Sequence, residues 1–450
     1  MTRKAKPEGS GFLAETAQEG QESIAELDNG HHRGRLASNI FALYILQGVN
    51  YVVPLAILPY LVRVVGMEQY GLIAFAQSLA QYFNLLTDYG FNFSGTRAIA
   101  RLRNDALAVS RAFSTILFVK LVLLAFGFLL LSAIVWVVPR FHQNASFFYA
   151  AYLAVLGNVL FPTWYFQGVE KMRFISLIAG ATRLAAAIAL FLFVRGAQDA
   201  MLALLILSLA QVACGIAGLW VSIRGLGVRL MRPTRAEIVD ASKDGAHLFI
   251  STAAISLYTN TNVFLVGIMA GNLEAGYFSA AEKLIRAMQG LSAPVTQAVF
   301  PHMSGLLERS RKEALYLASR TLRWLGAITL IPSVATLVFA GPIVLLFFGH
   351  GATASVPVIR WIAFLPFLIA ISNVLGIQTM VPFGLDKQFS WILVMAGLFN
   401  LAMAIPLIHF YGAVGAGISV LATEILVICG MFAVLNKHGI HLVRSKAVAV

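Results

Sequence analysis

Charge is what this chain of 450 residues has least of. Only 12% of its residues are Asp, Glu, Lys or Arg, and 59% are hydrophobic, whereas soluble domains carry roughly a quarter charged residues. A soluble globular fold is thereby excluded, and an all-α integral membrane protein is expected. Cysteine is almost missing. Cys214 and Cys429 both fall in apolar runs, which excludes a disulfide framework and a cysteine metal site. There is no G-x-x-x-x-G-K-[ST], so ATP hydrolysis within the chain is not expected, and no H-E-x-x-H. No two aspartates lie within two residues of each other, so a D-x-D metal site for sugar nucleotides is missing. No loop is long enough for a soluble catalytic domain. The expectation is a protein without cofactor or metal, and not an enzyme.

What is present is a series of apolar runs of the length a bilayer core requires. They lie near 38–62, 72–93, 113–138, 147–167, 173–194, 201–223, 246–270, 276–303, 322–348, 356–382, 390–410 and 413–435. Twelve transmembrane helices are predicted. The net charge of +13 does not point to nucleic acid, because the basic residues are scattered among the loops. Alternate loops and both tails hold most of the 33 Lys and Arg residues; the opposite loops hold Arg63, Arg140 and Arg195. The positive-inside rule then makes both termini cytoplasmic. Residues 1–36 read as a disordered tail, 37–223 and 246–436 as two six-helix lobes around a central cavity, 224–245 as the cytoplasmic linker, and 437–450 as a C-terminal tail. A short echo supports the division: Gly66 and Gly71 follow the first span with the spacing of Gly271 and Gly276 after the seventh.

The charges left inside the runs carry the functional argument. Each costs roughly 2.5–3.5 kcal/mol at the bilayer centre on insertion scales. The bases are Lys120, Arg183, Lys283, Arg286 and Arg360; the acids are Asp88, Glu282 and Glu424. Glu282 and Arg286 are spaced i,i+4 and share a helix face, which fits either an internal lock or part of a polar path. Arg183, Arg286 and Glu424 fall near mid-span, and Lys120 and Arg360 nearer the ends, where snorkelling is open to them. If every charge were paired, two bases would still lack acids, and an anionic substrate such as a pyrophosphate would supply the balance. Glu282, Glu424 and Asp88 are candidates for coupling to protons. Asn50, Asn260 and Asn262 are expected to line the cavity.

Three stretches carry a family likeness. They are the run from Pro59 through Arg63 and Gly66 to Tyr70 and Gly71, the run from Asp88 to Arg97, and the run from Trp164 through Gly168 to Lys171. Together they resemble polysaccharide flippases of the Wzx type, in the superfamily that also holds multidrug (MATE) exporters and lipid II flippases. The resemblance implies two six-helix lobes, with spans 1, 2, 7 and 8 lining the cavity. It also implies an undecaprenyl-pyrophosphate-linked oligosaccharide, moved from the inner to the outer leaflet of a bacterial inner membrane and driven by an ion gradient. Arg286 and Lys283 fit its cationic lumen by position, and Arg183 by depth. The Trp164 motif and the Arg97 cluster would hold span ends. Polymerase and chain-length proteins of the same machinery are the implied partners, beside membrane lipids. Two rivals stand: a multidrug cation antiporter, disfavoured by the surplus of bases, and a polysaccharide polymerase or ligase, disfavoured by short outer loops.

Overall fold

The computed structural model describes residues 53–290, 303, 305–307 and 309–442, with the side chains of 247, 248 and 250–260 left aside. Helix is the regular structure throughout the described residues. Seven stretches are long and apolar enough to cross a membrane: Ala106–Val137, Ala145–Gly168, Arg173–Phe193, Ala197–Gly225, Arg311–Val338, Ser355–Met380 and Asp386–Lys437. The chain is a multi-pass membrane protein. A backbone that meets no water must satisfy its own N–H and C=O groups, and helices do so within one segment. The Met67–Asp88 and Asn272–Gly290 helices also fill expected spans; they are less apolar because they carry the cavity's polar side chains.

Helix ends follow local chemistry. Asp105 Oδ1 accepts from the N–H groups of Leu107 and Ala108 at 2.9 and 3.0 Å, opening the Ala106–Val137 helix. Thr234 and Glu237 form a capping box that starts Arg235–Met269 well ahead of the expected boundary at 246. The Thr234 backbone N–H, 2.7 Å from Glu237 Oε2, and then the Thr234 hydroxyl hold that carboxyl below its ordinary pKa. The expected span 322–348 is two helices, Arg311–Val338 and Ala340–Phe348. Pro342 has no N–H to continue the first helix and sits in the first turn of the second, where none is needed. Ser355–Ile362 and Leu365–Leu375 divide in the same way ahead of Pro366. The long element Asp386–Lys437 turns back on itself at Gly412, whose φ of 56° and ψ of −132° are open to glycine. A methyl group on Gly415 would overlap the Leu407 backbone, so the two arms form a tight hairpin.

Packing brings the halves of the chain together along two helices. Met67–Asp88 lies against Asn272–Gly290 and Arg235–Met269. Phe75, 1% exposed, is wedged against Phe141, Phe148 and Phe264 at ring distances of 5.5 to 5.7 Å. The echo of glycines has a structural meaning. Gly66 and Gly271 take positive φ and start their helices. Gly71 lies on the Asn272 carbonyl, and Gly276 on the Met67 carbonyl, with no room for a Cβ at either. The Arg63, Arg140 and Arg195 side chains all serve helix C-termini. Arg63 Nη2 donates to the Leu346 carbonyl, Arg140 Nη1 to that of Ile268 at 2.9 Å, and Arg195 Nε to that of Leu192 at 3.3 Å. Two of the three thus join a helix of the N-terminal half to one of the C-terminal half.

The Trp164 motif is packing. Trp164 and Phe166, at most 1% exposed, sit with Phe113 and Ile99 in one buried cluster. Gly168 abuts the Ile99 side chain.

Gly71→Ala should lower the thermal midpoint in nanodiscs, since overpacking of a tight contact costs about 1–3 kcal/mol. Gly341→Ala, with open space around the site, should leave it unchanged or raise it. Equal midpoints for the two variants would contradict the close contact.

Candidate functional site

Two cavities flank the Asn272–Gly290 helix, and that helix contributes side chains to both. Successive residues on an α-helix point roughly 100° apart. Lys283 therefore enters one cavity while its neighbour Glu282 and Arg286, one turn on, enter the other.

The first cavity, about 350 Å³, lies within the C-terminal half. Arg286 Nη2 and Nε donate to Glu282 Oε1 at 2.8 and 3.2 Å, the i,i+4 geometry read from the spacing. Opposite stands Glu424, 4% exposed, whose Oε1 accepts from the Ser372 hydroxyl at 2.6 Å. Asn262 and Asn400, both buried, add to the polar lining with Gln289 and Asn373, and Asn400 Nδ2 donates to Thr423 Oγ1 at 3.2 Å. The remaining wall is largely apolar. Among the described residues its charged side chains are Glu282, Glu424 and Arg286.

The second cavity, about 470 Å³, is lined by the N-terminal half and by Lys283 of the Asn272–Gly290 helix. Both volumes fall in the range of ligand pockets. Among the described residues its charged side chains are Lys283 and Arg183. The Lys283 ammonium stands 5.2 Å from the centroid of the Tyr70 ring, a cation–π contact. Among the described residues Lys283 has no carboxylate within ion-pair distance. Tyr70 in turn shares a hydrogen bond of 3.3 Å with Ser279. The structure adds a polar wall that the sequence reading passed over. Gln77, Gln81 and Asn84 descend one face of Met67–Asp88, and Asn158 and Gln211 line the same cavity. Their i, i+4, i+7 spacing inside an apolar helix was the available signal.

Arg183, Lys283, Arg286, Glu282, Glu424 and Asn262 thus line one cavity or the other. Lys120, Asp88 and Arg360 are not among the residues that line these two cavities. Lys120, 2% exposed, faces Asp88 with Nζ 3.7 Å from Oδ1. The pair ties Ala106–Val137 to the end of Met67–Asp88. Lys120 is held there by its helix face, since Phe113, Ile116 and Leu117 pack into the cluster around Trp164. Arg360 is exposed because Val358, Ile359 and Ile362 take the buried face of its short helix. Asn50 and the Asn260 side chain lie outside the described residues.

Lys120→Met should leave Asp88 as an uncompensated buried charge and destabilise the fold by about 3 kcal/mol. The double change Asp88→Asn with Lys120→Met should recover most of that loss in the same thermal melt. Additive losses would show that the two side chains do not interact.

Known proteins extend the picture. The model of the family described as "Polysaccharide biosynthesis protein" matches residues 36–307. Two proteins that carry the description "Putative O-antigen transporter" are similar along most of their length. The one from Escherichia coli (strain K12) is 36% identical over 392 residues, which is 87% of this chain and 94% of that protein. The one from Shigella dysenteriae is 32% identical over 399 residues, 88% of this chain and 99% of that protein. Among solved structures, the lipid II flippase MurJ in an inward closed conformation aligns with a TM-score of 0.66 at 13% identity, covering 88% of this chain and 87% of that one. An inward-facing multidrug MATE transporter aligns at 0.63 and 15% identity, covering 88% of this chain and all of the other. At such identities these two speak for the fold alone. The match over well over half of the chain, together with the two relatives, makes this protein a member of the polysaccharide biosynthesis protein family.

Proposed function

We propose that the protein is a flippase for an undecaprenyl-pyrophosphate-linked oligosaccharide, moving it from the inner to the outer leaflet of a bacterial inner membrane for surface polysaccharide synthesis. The observation that carries this reading is the cavity lined by the N-terminal half and Lys283, whose charged side chains among the described residues are Lys283 and Arg183. A basic wall deep in an apolar protein suits an anion, and a pyrophosphate is compact and strongly charged. An organic cation would be repelled there, which disfavours the drug-exporter reading although the fold is shared. The relatives described as O-antigen transporters point the same way.

In this reading the chain has twelve spans in two six-helix lobes, 37–223 and 246–436, joined by 224–245, with both termini cytoplasmic. The sugar-pyrophosphate head occupies the cavity while the polyprenyl tail stays in lipid. Glu424 and Glu282, with Arg286 paired to Glu282, form the coupling site in the other cavity. Protonation of either carboxylate changes the charge beside the helix that also carries Lys283. Substrate binding at Lys283 and proton uptake at Glu282 are then linked through one rigid element by adjacent residues.

The test is flipping of an undecaprenyl-pyrophosphate-linked oligosaccharide in proteoliposomes under an imposed pH gradient. Lys283→Ala should reduce the rate about tenfold or more, the scale of a lost charge-assisted contact. Glu424→Gln should keep a basal rate and lose the response to the gradient. A wild type that folds, flips no lipid-linked sugar and exports an organic cation would move the assignment to the drug exporters. A gradient response that survives both Glu424→Gln and Glu282→Gln would remove the coupling scheme.

A further inference from the structure

The amide wall of the N-terminal cavity carries no charge, yet it is the largest set of polar groups there. Gln77, Gln81 and Asn84 lie at i, i+4 and i+7 on Met67–Asp88, so they form a column roughly 10 Å tall. Asn158 of Ala145–Leu160 and Gln211 of Ala200–Trp220 line the same cavity. Within this set Asn158 Nδ2 donates to Asn84 Oδ1 at 3.2 Å, and Asn84 Nδ2 to Gln81 Oε1 at 3.4 Å. That relay fixes the orientation of the Asn84 and Gln81 amides. It leaves Gln81 Nε2 and the whole amides of Gln77 and Gln211 without a hydrogen bond to protein among the described residues.

Two readings compete for such a column. Polar side chains inside a membrane bundle can simply glue helices to one another. Asn158 and Asn84 do this, because their bond spans two helices. Gln77, Gln81 and Gln211 do not, because their remaining donors and acceptors point at the cavity rather than at a neighbouring helix. Gln81 is exposed and Gln77 and Gln211 are half-buried, so their amides are open to water or to a ligand that replaces it, and the ligand that suits them is one rich in uncharged hydrogen-bonding groups. Each amide offers two donors and an acceptor oxygen with two lone pairs. Hydroxyl and acetamido groups of a sugar match that pattern as donors and acceptors at once. A polyprenyl tail matches none of it.

We propose that Gln77, Gln81 and Gln211, oriented by the Asn84–Asn158 relay, form a saccharide subsite that reads hydroxyl and acetamido groups of the sugar next to the pyrophosphate. The inference rests on the flippase reading and adds where the sugar lies and which side chains select it. Lys283 and Arg183 line the same cavity, so headgroup anion and first sugar share one chamber. The bases then supply affinity for any polyprenyl pyrophosphate, and the amides supply the preference among sugars. A site built to hydrogen-bond a ligand discriminates strongly against an analogue lacking those groups, since its own polar atoms are left unpaired.

The experiment compares two probes on the full-length protein in nanodiscs: undecaprenyl pyrophosphate and undecaprenyl-pyrophosphoryl-N-acetylglucosamine. The wild type should bind the sugar-bearing probe more tightly. Gln77→Leu with Gln81→Leu should weaken that probe about tenfold, the scale of two lost neutral hydrogen bonds, and leave the bare lipid within about twofold. Lys283→Ala should weaken both probes alike. Gln211→Leu, on a different helix, should repeat the selective loss and carries the test if the double variant does not fold. Equal loss on both probes in the glutamine variants, no loss on either, or a wild type indifferent to the sugar would overturn the subsite. A selective loss in the glutamine variants beside an unaffected Lys283→Ala would instead keep the sugar subsite and remove the anion reading.

Discussion

A charge inside hydrocarbon must be neutralised, wetted or turned outward, and the arrangement of this molecule follows from that demand. Each base in the apolar runs for which the structure gives a partner or a face answers it in its own way. Lys120 takes Asp88. Arg286 takes Glu282 within its own helix. Arg360 turns to the outer face of a short helix whose other side is packed. Lys283 lays itself along the Tyr70 ring at the edge of a cavity. Structural charges are therefore spent against each other between or along helices. Among the described residues Glu282, Glu424 and Arg286 face the cavity on one side of the Asn272–Gly290 helix, and Lys283 and Arg183 the cavity on the other.

Much of this was legible in the residues. The length and spacing of apolar runs gave helices where helices stand, and Glu282 and Arg286 are paired as their i,i+4 spacing implies. Charge balance alone required some bases to lack acids. What could not be read was direction. Depth along a span follows from rise per residue, whereas the face a residue presents depends on how its helix packs. That is why Lys283 and Arg286, three positions apart, serve different cavities, and why Lys120 belongs to a packed cluster.

Breaks within spans were legible in principle and were passed over. Pro342 and Pro366 mark the divisions of two expected spans, and Gly412 marks the hairpin. The amide column escaped for a different reason. Gln77, Gln81 and Asn84 are uncharged, so the insertion penalty that drew attention to lysine and arginine gave them little weight, although their spacing puts them on one face. Conversely, the glycine echo at 66–71 and 271–276 looked like a trace of duplication and is also a contact, since the second glycine of each pair touches the partner segment.

That contact behaves as a bearing. At Gly71 and Gly276 backbone meets backbone, with no side chain from either glycine reaching across. Parting or sliding the helices there requires neither glycine to change rotamer and exposes no charge of theirs to be rehydrated. The fit is set by main-chain shape at Gly71 and by the Met67 carbonyl and side chain at Gly276. The nearby Arg63 and Arg140 reach carbonyl groups at helix ends, the part of a helix most readily taken over by water. Two halves that meet through such a joint are tightly fitted without a buried ion pair at either glycine.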